Sequence, residues 1–155
     1  MGDYIHDIRS VIGNRTLILA GAAVYVFNDA GQILMQHRTD NGLWSCPGGI
    51  VDVDEAVEQT AIREVFEETG LKLDAVTLVG VASGPEMRYV YPNGDDTSNV
   101  CCVFSAKVSA QATVTADAES HELRWVDLPI SGIALSPPTA YMVRRFPPEA
   151  ALASL

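Results

Sequence analysis

The alternation of hydrophobic and polar residues in the first part of the chain predicts a short helix and a β-hairpin. Apolar side chains recur at helical intervals over residues 3–12, and Gly13 follows as a C-terminal cap. Residues 17–27 form a stretch rich in Val, Ile, Tyr and Phe, which predicts a strand. Turn-forming residues at 28–31 then lead into a second predicted strand over residues 33–38.

The middle of the chain predicts a loop and the longest helix. The loop spans residues 40–49, where Asp-Asn-Gly and Pro-Gly-Gly sequences disfavour regular structure. Apolar residues then recur every four positions within residues 54–69, which is typical of a helix with one buried face. Gly70 follows and is expected to end that helix.

The second half of the chain returns to a β pattern and ends in a helix. Strands are predicted over residues 76–82, 87–91, 99–108 and 123–126. A helix is predicted over residues 137–146, and the proline pair that follows is expected to end it. Because strands outnumber helices and arrive in hairpins, the expected class is α+β, with a mixed sheet flanked by helices in a single domain.

Composition and charge narrow the classes of function. The 155 residues include 20 acidic and 10 basic side chains, and the net charge of −10 argues against a nucleic-acid partner held by its phosphates. No apolar run approaches the roughly 18 residues that a membrane span requires, so no membrane partner is expected. The three cysteines fit neither a zinc site nor a disulfide framework, which favours the cytoplasm. Two of them, Cys101 and Cys102, are expected to be buried and unreactive.

Acidic side chains concentrate in residues 49–71, which carry seven acids and one arginine and so contribute −6 of the net charge. Glu64, Glu67 and Glu68 lie three and four positions apart, so they share one face of the predicted helix and repel each other. A solvated acidic face is the more common explanation of such a cluster. A bound cation would remove the repulsion, and oxygen donors without His or Cys suit Mg²⁺ or Mn²⁺.

The spacing of these acids decides between the two explanations, because it matches a motif. Residues 49–71 fit, without departure, the Nudix box G-x₅-E-x₇-R-E-u-x-E-E-x-G-u, in which u is a bulky aliphatic residue. The preceding Trp-Ser-Cys-Pro-Gly-Gly resembles the family's W-x-[LF]-P-G-G sequence, with Cys46 in place of a larger apolar residue. Residues 122–126 look like a later strand of the family. The chain therefore resembles a Nudix hydrolase.

The resemblance implies a Nudix fold, in which a mixed sheet lies between helices, and a hydrolytic function. The expected substrate is a nucleoside diphosphate linked to another moiety, such as a nucleoside triphosphate or ADP-ribose. Its pyrophosphate linkage would be cleaved by water that Mg²⁺ activates, with Mn²⁺ as an alternative. Carried over from the family, the metal ligands are Glu64, Glu67 and Glu68, with a carbonyl of the glycine pair, such as that of Gly49, and Glu55 as further candidates.

Three further roles follow from the resemblance and from the side chains themselves. Arg63 is expected to orient a carboxylate, because its pKa is too high for a base. The general base is either Glu64 or a carboxylate on a later loop, with Glu119 as the loop candidate and Glu122 as the fallback. Arg38, near the end of a strand that leads to the glycine loop, is a candidate contact to a substrate phosphate.

Two other functions on the same scaffold remain to be weighed. A Nudix-fold module that senses a nucleotide without cleaving it is the main alternative, and retention of all three glutamates argues against it. An isomerase of isopentenyl diphosphate needs an acid/base cysteine beyond the box, whereas Cys46 lies beside the glycine loop. A homodimer, with the first helix as its interface, is a further expectation.

Overall fold

The helices and strands of the computed structural model, which describes residues 2–109 and 112–155, follow the order of the sequence patterns. The first half contains α1 (Gly2–Ile12), β1 (Leu17–Phe27), β2 (Ile33–Arg38), β3 (Trp44–Ser45), β4 (Gly48–Ile50) and α2 (Val57–Thr69). The second half contains β5 (Thr77–Ala82), a 3₁₀ turn (Pro85–Met87), β6 (Arg88–Val90), β7 (Asp96–Lys107), β8 (Ser120–Val126), α3 (Pro137–Arg145) and α4 (Pro148–Ala153).

The segment around the box glycines differs from its predicted form. The residues predicted as loop form β3 and β4, because β2 and β1 supply hydrogen-bonding partners that local sequence does not reveal. The helix predicted from residue 54 begins only at Val57. Asp54 adopts a left-handed φ of 64°, and Glu55 N–H donates to the carbonyl of Asp52 within a turn, so neither residue is helical.

The C-terminal part also departs from the prediction. The proline pair does not simply end α3, because Pro148 is the first residue of a further helix, α4. Proline is compatible with the first helical turn, where its missing N–H would have had no partner. Strand β8 begins at Ser120 rather than at residue 123, because its first residue pairs with Arg38 of β2.

Within the described ranges, eight strands form one mixed sheet whose central path is β3-β2-β1-β7-β5. β1 and β7 run parallel and pair along their whole length. β4 lies antiparallel to β1, β6 to β7 and β8 to β2. The predicted α+β class with a mixed sheet is therefore confirmed.

The two faces of β1 supply two separate hydrophobic cores. Val24 and Val26 point toward α2 and are buried with Val65 of that helix. Tyr25 and Phe27, which alternate with them, point to the opposite face and join residues from α3 and α4. The sheet thus lies between α2 on one side and α3 with α4 on the other, and α2 is fixed against β1 and β4. Within the described residues, no helix is long and apolar enough to cross a bilayer.

A substitution at Gly80 tests how closely β5 packs against the residue that follows α3. A Cβ built on Gly80 would overlap the ring of Phe146, so we expect Gly80→Ala to destabilise the protein by about 1–3 kcal/mol, the usual cost of overpacking. Urea unfolding measures this change. In a Phe146→Leu background the penalty should shrink, because the smaller side chain leaves room for the methyl group. An equal penalty in both backgrounds would show that the ring is not its cause.

Candidate active site

The glycine pair of β4 brings main chain against the acidic face of α2. A Cβ on Gly48 would overlap the carbonyl oxygen of Ala22 in β1, and a Cβ on Gly49 would overlap the carboxylate of Glu64. Only residues without a side chain allow this approach. A side chain at Gly21 would likewise lie 2.9 Å from the carbonyl oxygen of Gly49, so glycine there leaves that oxygen uncovered. The glycines therefore permit the paired strands β1 and β4 to approach each other closely and α2 to pack directly against β4.

Glu68 is almost completely buried beneath this strand, with 2% of its surface exposed. Its Oε2 accepts a hydrogen bond of 2.8 Å from the N–H of Gly48. Burial raises its pKa to about 8, and the charges of Glu64 and Glu119 act in the same direction, against the Gly48 N–H and Arg38. A carboxyl in this position is ionised at neutral pH only in part unless positive charge lies beside it.

Glu64, one turn earlier on α2, is buried beside Gly49. Burial raises its pKa, although Arg63 donates a hydrogen bond of 2.8 Å to its Oε1 and opposes that rise. Nearby carboxylates, among them that of Glu119, raise it further. Two adjacent buried carboxyls therefore carry raised pKa values for the same reason, and each makes ionisation of the other less favourable.

Arg63 is the hydrogen-bonding centre of the box. Its Nε and Nη2 donate to the two oxygens of Glu55 at 2.7 and 2.9 Å, and its Nη1 donates to Glu64 at 2.8 Å and to Glu67 at 3.3 Å. Its Nη2 also donates to the carbonyl of Ile50 in β4 at 3.2 Å. The guanidinium thus links β4, the turn before α2 and the helix itself.

Glu55 differs from the buried pair because its oxygens are already well supplied with donors. Besides Arg63, the hydroxyl of Thr60 donates to it at 2.7 Å and the N–H of Asp52 at 3.1 Å. The hydrogen bonds from Arg63 are the main reason that the pKa of Glu55 falls to about 2. Glu55 was also named from the sequence as a candidate metal ligand. Because its oxygens already accept these hydrogen bonds, a bound cation would stabilise its charged form less than those of Glu64 and Glu68.

The remaining predicted carboxylates occupy different places around the buried pair. The side chain of Glu67 is 54% exposed on the outer side of α2. The exposed Glu119 precedes β8 and is close enough for its charge to raise the pKa of both Glu64 and Glu68. Glu122, the fallback base, lies within β8 and is paired with Arg124, whose Nε donates to it at 2.8 Å. Across residues 2–109 and 112–155, no three His, Cys, Asp or Glu side chains already converge as a metal-ligand set.

Arg38 lines a cleft of about 150 Å³ that also reaches the glycine pair. Its Nε and Nη2 form a bidentate pair with Asp40 at 2.9 and 3.0 Å, and its charge lowers the pKa of Glu68. The part of Asp40 in holding Arg38 was not expected from the sequence, because an Asp-Asn-Gly sequence is typical of a turn. The anchored guanidinium keeps further N–H groups for a ligand.

The cleft itself runs from the glycine pair to β6 and β7. Its walls include Tyr89 and Tyr91, whose rings meet edge to face with centroids 4.9 Å apart. The amide of Asn41 donates to the hydroxyl of Tyr89 at 2.9 Å, and Asn99 of β7 also lines the cleft. Neither asparagine was identified from the sequence, because no periodicity or motif marks a residue whose neighbours are brought by β6 and β7.

The cysteines stand near the cleft without reactive surroundings. Cys46 and Cys101 are buried and line the cleft, and burial raises the pKa of each to about 12. Cys102 is half-buried rather than buried, a correction to the sequence prediction, because it lies on the sheet face that α2 covers only in part.

A family model of the NUDIX domain matches residues 18–146. The chain belongs to the Nudix family. This confirms the resemblance carried by the box, and the match extends well beyond it on both sides.

Named relatives agree with this membership. A Bacillus subtilis (strain 168) protein with the provisional description 8-oxo-dGTP diphosphatase is 34% identical over 106 residues, which cover 68% of this chain and 64% of that protein. The chain spans less than two thirds of the length of the curated relatives that it matches here.

Solved structures share the fold. The MutT protein from Methanosarcina mazei Go1 has a TM-score of 0.69 at 23% identity, covering 88% of this chain and 97% of that one. The NUDIX domain of Shewanella oneidensis NrtR, complexed with ADP ribose, has a TM-score of 0.65 at 21% identity, covering 83% and 86%. At these identities the likeness supports the Nudix fold.

Replacing Arg63 tests the electrostatic division between Glu55 and the buried pair. In Arg63→Gln we expect the pKa of Glu55 to rise from about 2 toward its ordinary value of 4.5, because the main cause of its depression is lost. A lowered pKa stabilises the folded protein above the ordinary value, and this stabilisation disappears as the pH falls toward 2. The difference in unfolding free energy between wild type and variant should therefore be largest near neutral pH and shrink below about pH 4.

Carboxyl ¹³C NMR titration of the metal-free protein and urea unfolding at several pH values measure these two effects. Arg88→Gln is the control, because Arg88 pairs with Asp96 elsewhere in the fold. A pKa for Glu55 that stays near 2 in Arg63→Gln would contradict the assignment.

Proposed function

We propose that the protein hydrolyses the pyrophosphate linkage of a nucleoside diphosphate joined to another moiety, with Mg²⁺ or Mn²⁺ as its cofactor. The observation that carries this proposal is the pair of buried carboxyls, Glu64 and Glu68, pressed against the box glycines beside a cleft that also presents Arg38. Membership of the Nudix family and the description of the Bacillus subtilis relative support a hydrolase of acid anhydrides.

The donors present fit a hard divalent cation. Burial raises the pKa of both Glu64 and Glu68, and among the described residues Gly48 N–H is the one hydrogen-bond donor to Glu68. Positive charge beside them would offset this cost, and carboxylate and carbonyl oxygens are the ligands that Mg²⁺ prefers. The ligands would be Glu64 and Glu68, the exposed Glu67 after turning inward, and the carbonyl of Gly49. When bound, such an ion neutralises phosphate oxygens and lowers the pKa of a water molecule.

The cleft and Arg38 would hold the substrate. A nucleoside placed beside Tyr89 and Asn99 could extend its phosphates toward the glycine pair, because the same cleft is lined by all of these residues. Arg38 then lies beside the phosphates, where a guanidinium held by Asp40 needs little reorganisation to bind them. An oxidised deoxynucleoside triphosphate, as named for the Bacillus subtilis relative, and ADP-ribose, bound by the Shewanella oneidensis domain, are the two substrate candidates.

Hydrolysis also needs a group that accepts the proton of the attacking water, in addition to the positive charges that bind the phosphates. The oxygen of water forms a bond to phosphorus, the phosphoanhydride P–O bond breaks, and the proton of the water passes to a carboxylate. Glu119 is our candidate acceptor, because it is exposed to solvent and close to both buried carboxyls.

The cytoplasmic location and the homodimer expected from the sequence stay predictions.

Removal of one buried carboxylate charge tests the proposal. A panel of nucleotides is incubated with the protein and Mg²⁺ in ¹⁸O-labelled water, and both products are identified by mass spectrometry. On the substrate found, Glu68→Gln should lower kcat by at least about 10²-fold, the scale of losing an essential electrostatic group, and should weaken Mn²⁺ binding in calorimetry. Glu58→Gln, the same charge change on the exposed side of α2, is the control and should leave both unchanged.

Two outcomes would contradict this assignment. Unaltered turnover in Glu68→Gln would exclude its proposed part in catalysis. Binding of a nucleotide from the panel without any labelled product would support the nucleotide sensor instead of the hydrolase.

A second pair of variants tests the proton acceptor. Glu119→Gln should lower kcat by about 10²–10⁴-fold, because general-base catalysis contributes on that scale, while Mn²⁺ affinity stays the same. Glu122→Gln should retain wild-type turnover, because that carboxylate is paired with Arg124 within β8. If instead both variants keep full turnover, Glu64 becomes the remaining candidate base.

A further inference from the structure

Strand β2 carries a buried polar side chain, Gln36, directly after three buried apolar residues. Ile33, Leu34 and Met35 are fully buried, and so is Gln36 after them. Gln36 Nε2 donates a hydrogen bond of 2.6 Å to the hydroxyl of Ser120, but Gln36 Oε1 has no partner within the described residues. A buried polar atom without a partner destabilises a fold, so packing alone would favour an apolar residue here.

Within the described residues, the one hydrogen bond of the Gln36 side chain reaches the residue next to Glu119. Ser120 is buried and is the first residue of β8, whereas the side chain of Glu119 is exposed. The hydroxyl of Ser120 also lies 3.4 Å from the carboxylate of Asp117. Gln36 thus fixes the point at which the chain leaves the loop and enters the sheet.

The main chain of Glu119 is held on both sides as well. Its carbonyl accepts hydrogen bonds from the N–H and the hydroxyl of Thr39 at 2.9 and 3.1 Å, and its N–H donates to Asp117 at 3.0 Å. Such a complete set of main-chain contacts is unusual for an exposed loop residue, whose backbone commonly bonds to water. Thr39 and Asp117 thus hold the backbone of Glu119 in place.

An irregularity in the sheet lies at the same place. The register of β2 and β8 shifts between His37 and Arg38, so that His37 pairs with Glu122 and Arg38 with Ser120. A bulge of this kind turns the strand and redirects the side chains beside it. Arg38 on one strand and Glu119 before the other thereby come to the same edge of the sheet, next to Glu68.

We infer that Gln36 is a positioning residue for Glu119, acting through Ser120. The inference rests on the proposed role of Glu119 as proton acceptor. The amide holds the start of β8, Thr39 and Asp117 hold the backbone of Glu119, and together they keep its carboxylate facing the buried pair. A small displacement of a catalytic group lowers the rate steeply, so the loss of this anchor acts on turnover more than on substrate binding.

Gln36→Leu tests the inference, because leucine fills similar space and also removes the unpartnered oxygen. We expect stability to urea at least equal to that of wild type, unchanged KM and Mn²⁺ affinity, and a kcat lowered roughly tenfold to a hundredfold. Ser120→Ala should give the same loss, and the double variant should lose no more than either, because both remove one hydrogen bond.

A second measurement is independent of catalysis. The amide of Thr39 donates to the carbonyl of Glu119, so its hydrogen exchange in the metal-free protein reports whether the loop stays in place. We expect exchange at Thr39 to become at least several times faster in Gln36→Leu. Gln32→Leu is the matched control, because Gln32 Nε2 donates to Asp127 and links the same two strands at their other end. That variant should keep wild-type turnover and wild-type exchange at Thr39.

The outcomes separate this inference from the proposed function. Wild-type exchange at Thr39 together with wild-type kcat in Gln36→Leu would overturn the positioning role. A fall in kcat that is matched by the same fall in Mn²⁺ affinity would overturn it too. Faster exchange with full turnover in both Gln36→Leu and Glu119→Gln would support the anchoring of the loop and overturn Glu119 as the proton acceptor.

Discussion

The contact between the acidic face of α2 and the glycine strand β4 is the constraint on which the site depends. Two carboxyls, those of Glu64 and Glu68, leave water because Gly48 and Gly49 have no side chains to keep the helix away. Moving an ionised carboxylate out of water costs several kcal/mol unless hydrogen bonds or opposite charge compensate. Here the compensation is partial, and a raised pKa for both groups is the result.

The turn before α2 and α2 itself therefore carry glutamates whose pKa values are shifted in opposite directions. Glu55 has a pKa of about 2 because Arg63 and Thr60 donate to its oxygens, whereas Glu68 has a pKa of about 8 because burial dominates. Arg63 contributes to this difference, because it donates two hydrogen bonds to Glu55 and one to Glu64. The environment, and not the residue type, decides which carboxyl is satisfied within the protein and which is left to a ligand.

The opposite wall of the site is built by the sheet rather than by the box. The end of β2 supplies Arg38, which lines the cleft, and Thr39, which holds Glu119. Both residues follow the buried Gln36, so one strand connects the hydrophobic core to the cleft and to the loop. Rigid elements position reactive groups more accurately than loops do, and here the main chain of an exposed loop is tied to such an element.

The amino-acid sequence by itself determined the family, the fold class and the helix that bears Glu64, Glu67 and Glu68. Those features depend on spacing along the chain, and helical periodicity and the box are local patterns. The bounds of β1 and β2 could also be predicted from local sequence, since each strand is a continuous apolar or alternating stretch between turns. Tertiary structure decided the strands β3 and β4, because their hydrogen-bonding partners lie in β2 and β1. The late start of α2 goes with a turn in which Glu55 N–H donates to the carbonyl of Asp52. Tertiary structure alone decided how Gln36 meets Ser120 and Thr39 meets Glu119, and how Asn41 and Asn99 come to line one cleft, since residues far apart in the chain meet only when the sheet forms.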